Sequence, residues 1–255
     1  MSLSAVSARQ VQKQYSGERG VLALDGISIE IPSGQFVSIL GPSGCGKSTF
    51  LRCVAGLEDI TAGDLDVNGK PVAGRPPDGI GMVFQRDALL EWRTIRKNLL
   101  LPIEFAKKRV SEYQDKVDHL LDLTGLQDFG SSYPRELSGG MRQRVSICRA
   151  LLHMDEPFDA LDAFTRDQMN FELQRIWMET QNTILFVTHG ISEAVFLGDI
   201  VMVLSPRPGR LMEVIEVDLP RPRPLSVRET PEFGKYVSHI RELFDKMDLN
   251  GDKRA

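Results

Sequence analysis

The feature that most constrains the fold of this chain is a glycine-rich loop between an apolar run and a helix-like segment. The loop fits the pattern G-x-x-x-x-G-K-[ST] with the residues Gly41, Pro42, Ser43, Gly44, Cys45, Gly46, Lys47 and Ser48. Residues 35–40 before it are mostly apolar and partly β-branched, and residues 47–57 after it have a helical pattern that ends near Gly56. The sequence therefore predicts a strand, a tight loop and a helix in direct succession.

Such a loop is typical of a site for phosphate groups. Glycine allows successive backbone N–H groups to turn inward, and the following helix adds partial positive charge at its N-terminus. In this pattern Lys47 reaches the β- and γ-phosphates of a nucleotide, and the Ser48 hydroxyl can bind Mg²⁺. The alternative is a glycine-rich turn without a ligand. Cys45 is interpreted as a small residue that the loop tolerates rather than as a redox-active thiol.

The pattern of the remaining segments predicts an α/β fold. Residues 183–188 and 200–204 are apolar runs of strand length, a helical pattern at 191–197 separates them, and a further helix is predicted at 165–180. Strands that alternate with helices indicate a mainly parallel sheet covered on both faces. The dipeptide Asn68-Gly69 predicts a type I′ hairpin, and we expect its antiparallel strands beside the first core strand.

Two regions differ from this alternation. Residues 86–144 are interpreted as a helical insertion, in which Ser111 caps a helix that ends at Gly125. From residue 205 onward, prolines predict an extended, stiff connection, and a last helix then has one apolar stripe. The stripe consists of Phe233, Val237, Ile240, Phe244 and Met247.

Composition bears mainly on location and partners. The 255 residues include 31 Lys and Arg against 35 Asp and Glu, so the net charge of −4 does not favour a nucleic acid as partner. Three cysteines and an N-terminus without an apolar signal segment indicate a reducing, cytoplasmic compartment. No apolar stretch approaches the roughly 18 residues that suggest a membrane span, so we expect any membrane contact to be peripheral.

A second glycine motif, Ser138-Gly139-Gly140, precedes a predicted helix and forms another candidate anion cradle. Three more motifs follow it: Asp155-Glu156-Pro157, the turn Ala160-Leu161-Asp162, and His189 after an apolar strand. In their order and context these motifs resemble those of ABC-type ATPases. The resemblance extends from residue 15 to about residue 204.

The resemblance implies a P-loop NTPase core of the RecA type, an α/β fold with an antiparallel β subdomain and a helical subdomain. We expect residues 1–85 to form the antiparallel β subdomain and the first half of the nucleotide-binding core. Residues 86–144 would form the helical subdomain with the signature motif. Residues 145–204 would complete the core, and residues 205–255 would be a C-terminal extension.

The resemblance also implies roles in the binding and hydrolysis of ATP. Tyr15 would stack on adenine, and residues 41–48 together with Thr49 would hold the triphosphate. The expected catalytic residues are the general base Glu156, the γ-phosphate contact His189, and Gln85 at Mg²⁺ or the attacking water. The expected Mg²⁺ ligands are Ser48, Gln85 and, through water, Asp155. The remaining expected nucleotide contacts are Ser138, Gly139, Gly140, Gln143 and Asp162.

Members of the family bind two ATP molecules between two copies, with the Ser138 cradle of each facing the other copy's γ-phosphate. The resemblance thus implies a homodimer with ATP at the interface. Residues 86–94 resemble an importer subgroup in which this region receives a short helix from a membrane permease. Residues 207–224 are similar to the tails of ATPase subunits of nitrate, sulfonate and taurine importers. For each tail arginine, solvation is the favoured interpretation and contact with anionic lipid heads the alternative.

These similarities predict permease subunits as direct partners and a solute-binding protein as an indirect one. They also place the chain at the cytoplasmic face of a cell membrane as a peripheral subunit. The expected activity is conversion of ATP and water to ADP and phosphate, coupled to import of a small solute.

The chain departs from the family between the Ser138 cradle and Asp155. Residues 141–154 are only 14 residues, whereas a helix, a connection and a strand normally need at least roughly 17. Either the helix is short, or part of it becomes the strand, or a segment is omitted. Asp159 and Gly190 also stand where the family commonly has Gly and Asp. Two alternatives stay open: a nucleotide-binding subunit that does not hydrolyse ATP, and a soluble ABC protein of translation or repair.

Overall fold

The computed structural model of the chain describes residues 4–16, 20–72, 80–83, 89–105, 108–152, 170–171, 173–175, 177–178 and 181–251. Two compact units are present. The first unit contains residues 1–82 and 173–255, and the second unit contains residues 83–172.

The described strands, in chain order, are β1 (Ser4–Tyr15), β2 (Val21–Pro32), β3 (Phe36–Leu40), β4 (Ala62–Val67), β5 (Lys70–Pro71), β6 (Ile80–Val83), β7 (Thr183–Val187), β8 (Ile200–Leu204) and β9 (Leu211–Glu216). The described α-helices are α1 (Lys47–Val54), α2 (Ile95–Leu99), α3 (Leu101–Phe105), α4 (Gln114–Leu123), α5 (Gly139–Leu152), α6 (Ile191–Leu197) and α7 (Pro231–Gly251).

An antiparallel sheet in the first unit has the order β2-β1-β4-β5. The predicted hairpin is confirmed, because Asn68 and Gly69 both have positive φ, 50° and 71°, and join β4 to β5. Its expected position beside the first core strand is wrong. β4 pairs with β1, with Val6 opposite Val67, rather than with β3. The turn signal fixes the local hairpin but carries no information about which strand lies next to it.

The core sheet has the order β6-β7-β3-β8-β9. β3 lies between β7 and β8 and is parallel to both. Every residue of β3, β7 and β8 is buried, which explains why these strands are continuous apolar runs in the sequence. β9 is antiparallel to β8 at the sheet edge. The interpretation of residues after 205 as only an extended connection is therefore wrong at 211–216.

The predicted helices agree in part with the structure. α6 and β8 begin and end at the predicted residues, and the described residues between 170 and 178 are helical. Trp177 of that segment is buried and meets Phe36 edge to face, with ring centroids 6.3 Å apart. The role assigned to Ser111 is wrong, because it lies in a 3₁₀ turn, Val110–Tyr113, and α4 begins only at Gln114.

The second unit contains α2 to α5 within its described part. Asn98 of α2 is fully buried and fixes the segment before that helix. Its side-chain oxygen accepts from the Leu90 N–H at 2.7 Å, and its amide group donates to the carbonyls of Leu90 and Arg93 at 3.1 and 3.0 Å. A buried amide with its hydrogen bonds satisfied gives the segment one defined conformation.

Two tail arginines lie in the first unit rather than in solvent, which corrects the expectation of solvated side chains. Arg223 is fully buried, and its guanidinium donates to the carbonyls of Val195, Phe196 and Gly198 at 2.8–3.0 Å. These carbonyls lie at the C-terminus of α6, where a helix lacks intrahelical donors. Burial lowers the pKa of Arg223 to about 10, so the side chain stays charged at neutral pH.

Arg221 makes a second contact with the same region. Its guanidinium donates to Asp199 Oδ1 at 2.7 and 2.8 Å and to the Leu197 carbonyl at 2.5 Å. It also lies over the Trp177 ring, 4.3 Å from the centroid. The two arginines together bind the tail to the end of α6, so the tail is part of the first unit's packing.

Replacement of Arg223 by Met is expected to lower the free energy of unfolding by about 2 to 4 kcal/mol, because each buried carbonyl left without a donor costs about 1 to 3 kcal/mol. Chemical denaturation followed by circular dichroism measures this loss. Arg207→Met is the matched control, since Arg207 is exposed in the same tail and its replacement should change stability by less than about 0.5 kcal/mol. Equal stability of the two variants would contradict the assignment of Arg223 as a helix C-terminal clamp.

Candidate functional site

The phosphate-loop motif forms a closed turn between β3 and α1. Lys47 is the first residue of α1 and is 6% exposed. Its Nζ donates to the carbonyl oxygens of Gly41 and Pro42 at 2.6 and 2.8 Å. The loop thus curls around the ammonium group, which holds positive charge at the N-terminus of a helix whose first N–H groups have no intrahelical acceptor.

Glycine is required at two positions of this loop for different reasons. Gly46 caps α1 with φ 99°, and a Cβ there would lie 2.7 Å from the Ala23 carbonyl oxygen. Gly44 has φ 78° and no neighbour within 4 Å of a Cβ, so only its backbone conformation demands glycine. Ser43 and Gly44 are exposed, whereas Cys45 is buried. The loop is therefore packed on one side and open on the other.

His189 lies at the same sheet edge as the phosphate loop. It follows β7, whose Val187 pairs with Ile39 of β3, and the Thr188 N–H donates to the Ile39 carbonyl at 3.3 Å. His189 is exposed, while Thr188 is buried and bonds through its hydroxyl to Glu193 and to the Gly190 N–H. Because parallel strands end together, the loop after β3 and His189 after β7 are neighbours in the sheet.

Tyr15 is the last residue of β1 and pairs with Val21 at the start of β2. It is half-buried, and Lys13 Nζ lies 5.0 Å from the centroid of its ring. A few residues farther along β2, Ala23 and Leu24 contact Gly46. β2 therefore contacts both Tyr15 and the phosphate loop. Contact of the Tyr15 ring with adenine stays a prediction.

The second candidate cradle begins α5 in the second unit. The Ser138 hydroxyl accepts from the Met141 N–H at 3.3 Å, and its carbonyl accepts from the Arg142 N–H at 3.0 Å. Ser138 therefore caps this helix, as its position before two glycines predicts. Ser138 and Gly139 are exposed at the helix start, and Gly140 and Gln143 lie within the same helix.

Several predicted site residues lie outside the described residues. They are Gln85, Asp155, Glu156 and Asp162, and Asp159 belongs to the same segment. Of the predicted Mg²⁺ ligands, the structure describes Ser48, which is half-buried in the first turn of α1. A hydroxyl at this position suits an ion that keeps several waters and binds one or two protein oxygens plus phosphates.

α5 continues to Leu152, so the helix takes up nearly all of the short interval between the Ser138 cradle and Asp155. Residues 150–152 are helical, which contradicts the option that they begin a strand, and α5 is not short. His153 and Met154, the two residues left before Asp155, lie outside the described residues. Of the three explanations for the short interval 141–154, the described residues contradict a short helix and a helix that turns into a strand. They do not contradict the third, an omitted segment.

The cysteines give no sign of a redox site. All three are buried as free thiols. Burial raises the pKa of Cys53 to about 11 and that of Cys148 to about 12, which keeps both as unreactive thiols at neutral pH. Cys45 Sγ lies 3.7 Å from Lys47 Nζ inside the loop, where the residue fills a small space.

Sequence patterns did not identify the residues behind the phosphate loop. Gly46 packs against Ala23 and Leu24 of β2, and Cys45 packs against Gly209. The contact of Gly209 with a loop more than 160 residues away in the sequence could not be predicted from local pattern.

Comparisons with known proteins agree with this geometry. The family model described as ABC transporter matches residues 24–159. The taurine import ATP-binding protein of Rhizobium johnstonii is 43% identical over 236 residues, covering 88% of this chain and 90% of that protein. The nitrate import ATP-binding protein of a Synechocystis species is 42% identical over 246 residues, covering 91% of this chain and 92% of that protein.

A solved structure is similar at the level of fold and sequence. It is a dimeric ATP-binding cassette in a post-hydrolysis state bound to ADP and Pi, with TM-score 0.70 and 30% identity over 84% of this chain and 99% of that one. In the part of this chain that the structure describes, no helix has both the length and the apolar character needed to cross a membrane.

Lys47→Ala is expected to weaken ATP binding by about 1.5 to 3 kcal/mol, roughly 10- to 100-fold, because it removes a charge-assisted hydrogen bond to phosphate. Isothermal titration calorimetry measures the affinity. The control is Lys70→Ala, which removes an exposed lysine from β5 and should leave the affinity unchanged. If Lys47→Ala bound ATP as tightly as the parent, the phosphate-loop assignment would be wrong.

Proposed function

The chain belongs to the ABC transporter family, and we propose that it hydrolyses ATP to ADP and phosphate to drive import of a small solute such as a sulfonate, nitrate or taurine. One observation carries the nucleotide-binding part of this proposal: a buried lysine at a helix N-terminus donates to two carbonyls of a glycine-rich loop. This arrangement places positive charge at a helix N-terminus, where a polyphosphate can bind.

In the proposed mechanism the chain's own groups bind and orient the triphosphate. Residues 41–49 surround the α- and β-phosphates, and Lys47 reaches the β- and γ-phosphates. Ser48, Gln85 and Asp155 would hold Mg²⁺, which when bound neutralises charge on the phosphate oxygens. Their donor chemistry, hydroxyl and carboxylate or amide oxygen, fits that ion.

Hydrolysis further needs a base and a group that recognises the γ-phosphate. We assign Glu156 as the base that accepts a proton from the attacking water, and Gln85 as the residue that orients that water. His189 contacts the γ-phosphate from the end of β7. Its exposed position beside the strand that carries the phosphate loop supports this role.

A second copy of the chain completes the site in this proposal. The start of α5 is exposed, with Ser138 capping it, and can face the γ-phosphate bound by the other copy. The related cassette with ADP and Pi is dimeric. Because the hydrogen-bond donors of the second copy would reach the γ-phosphate only in the dimer, formation of the dimer would be coupled to ATP hydrolysis. The subdomain bounds 1–85, 86–144, 145–204 and 205–255 are likewise a proposal.

The membrane partners follow from the import function of the relatives. We propose that residues 86–94 bind a permease helix at the cytoplasmic face of the membrane. Trp92 in that segment is 74% exposed, as an apolar anchor for a partner would be. The solute-binding protein is an indirect partner, because it delivers the solute to the permease. The solute class rests on relatives named for taurine and nitrate.

The alternative of a non-hydrolysing structural subunit has no support in the comparisons. The cassette similar in structure contains ADP and Pi after hydrolysis. The motive for that alternative was the short interval before Asp155. A steady-state ATPase assay on the purified chain separates the two functions directly, since the structural subunit would bind ATP without releasing phosphate.

Glu156→Gln is expected to reduce ATP turnover by at least about 100-fold with ATP affinity unchanged, because an amide cannot accept the proton from water. The same variant should form a dimer when ATP is added. Phosphate release gives the turnover, and size-exclusion chromatography with light scattering gives the mass. Glu229→Gln, an exposed carboxylate in the tail, is the control with parental turnover. Parental turnover in Glu156→Gln would rule out its role as the base.

A further inference from the structure

A turn in the C-terminal part of the first unit lies directly behind the phosphate loop. This turn, residues 205–210, is closed by the Ser205 N–H donating to the Arg210 carbonyl at 2.9 Å. The Ser205 hydroxyl accepts from the Arg210 N–H at 3.0 Å and donates to the Pro208 carbonyl at 3.1 Å. These bonds give the 205–210 turn a fixed shape.

The 205–210 turn is attached to β2 through Gly209. The Gly209 N–H donates to the Ala23 carbonyl, and the Gly209 carbonyl accepts from the Asp25 N–H, both at 2.9 Å. The Arg210 guanidinium donates twice to Asp25 Oδ2, at 2.6 and 2.8 Å. Two backbone hydrogen bonds and a two-point ion pair therefore hold this turn against Ala23 and Asp25 of β2.

Gly209 is buried and contacts the backbone of the phosphate loop. A Cβ at Gly209 would lie 2.1 Å from the Cys45 carbonyl oxygen and 3.3 Å from the Ala23 carbonyl oxygen. The first distance is far inside van der Waals contact, and both atoms are backbone, which cannot rotate away as a side chain can. Gly209 is not among the glycines with positive φ, so the need for glycine here is one of space rather than conformation.

The carbonyl oxygen of Ala23 also lies close to Gly46 of the phosphate loop. A Cβ on Gly46 would lie 2.7 Å from it. The backbone at Ala23 is therefore packed between Gly46 on one side and Gly209 on the other. Three backbone segments therefore come close together here, and each glycine allows one of the approaches.

This contact fixes the orientation of a peptide group that the site uses. The C=O of Cys45 and the N–H of Gly46 belong to one planar trans peptide and point in opposite directions. With the Cys45 oxygen against Gly209, the Gly46 N–H points away from Gly209. In a phosphate loop such N–H groups bind the phosphate oxygens.

We propose that Gly209 is a positioning residue for nucleotide binding: it holds the Cys45–Gly46 peptide so that the loop's N–H groups face the phosphates. This inference rests on the proposed ATP site. The C-terminal extension then acts on the site through the back of the loop, without touching the nucleotide.

Gly209→Ala must displace either the 205–210 turn or the Cys45 carbonyl by about 1 Å, a shift that can change binding or rate by orders of magnitude in an ordered site. The loop holds the phosphates in the ground state and the transition state alike, so KM for ATP should rise at least about tenfold with kcat changed less than about threefold. Gly234→Ala is the matched control, because a Cβ at Gly234 in α7 meets nothing within 4 Å.

Steady-state ATPase kinetics and calorimetric ATP affinity are measured for the parent, Gly209→Ala and Gly234→Ala, with melting temperatures as a check of folding. Elevated KM in folded Gly209→Ala alone supports the proposal. Parental KM in folded Gly209→Ala overturns it, even if the melting temperature falls. A parent chain that binds no ATP would instead overturn the proposed function itself.

A second variant tests the positioning role of Gly209 if Gly209→Ala does not fold. Arg210→Gln removes the ion pair with Asp25 without adding an atom near the loop. Hydrogen exchange of the backbone amides of residues 43–48 should then be faster than in the parent, because the support behind the loop is weakened. Unchanged exchange at these amides would overturn the proposal, and faster exchange would support it.

Discussion

The burial of β3 between two parallel strands is the constraint on which the rest of the site depends. β3 pairs with β7 on one side and β8 on the other, and all five of its residues are buried. Its end is therefore fixed, and the glycine-rich loop must start from a defined point. The same pairing brings the residue after β7, Thr188, and then His189 to the loop's edge of the sheet.

Two buried cations of the first unit, Lys47 at the phosphate loop and Arg223 at the end of α6, have different roles. At the phosphate loop, Lys47 donates to two carbonyls, and in the proposed function it exchanges them for phosphate oxygens when ATP binds. At the end of α6, Arg223 donates to three backbone carbonyls of the same unit, and its role is structural. A buried cation is stable in either place only because backbone oxygens replace its lost hydration.

The sequence predicted the elements that depend on local pattern. The strand, loop and helix around Lys47, the bounds of α6 and β8, and the turn at Asn68-Gly69 were confirmed, since periodicity and turn chemistry determine them. Pairing partners were not predictable, as for β4 beside β1, because strand order depends on contacts between distant segments. The solvated interpretation of Arg223 failed for the same reason: the carbonyls that bind it come together only in the folded chain.

The candidate site was predictable to a similar degree. Lys47, Ser138 and His189 came from motifs and occupy helix starts or a strand end as those motifs require. Gly209 carries no motif of its own, and its contact with Cys45 depends on three chain segments that come together only in the folded chain. The roles of Gln85, Asp155 and Glu156 stay predictions from resemblance.

The central claim is that the chain recognises a nucleotide through its phosphates at the loop around Lys47. Calorimetric titration of the purified chain with ATP, ADP and AMP in the presence of Mg²⁺ tests it most directly. If the loop and Lys47 bind the α- to γ-phosphates, ATP and ADP should bind at least about tenfold more tightly than AMP. Equal affinity for ATP and AMP would mean that the base and ribose dominate recognition, and would contradict the account.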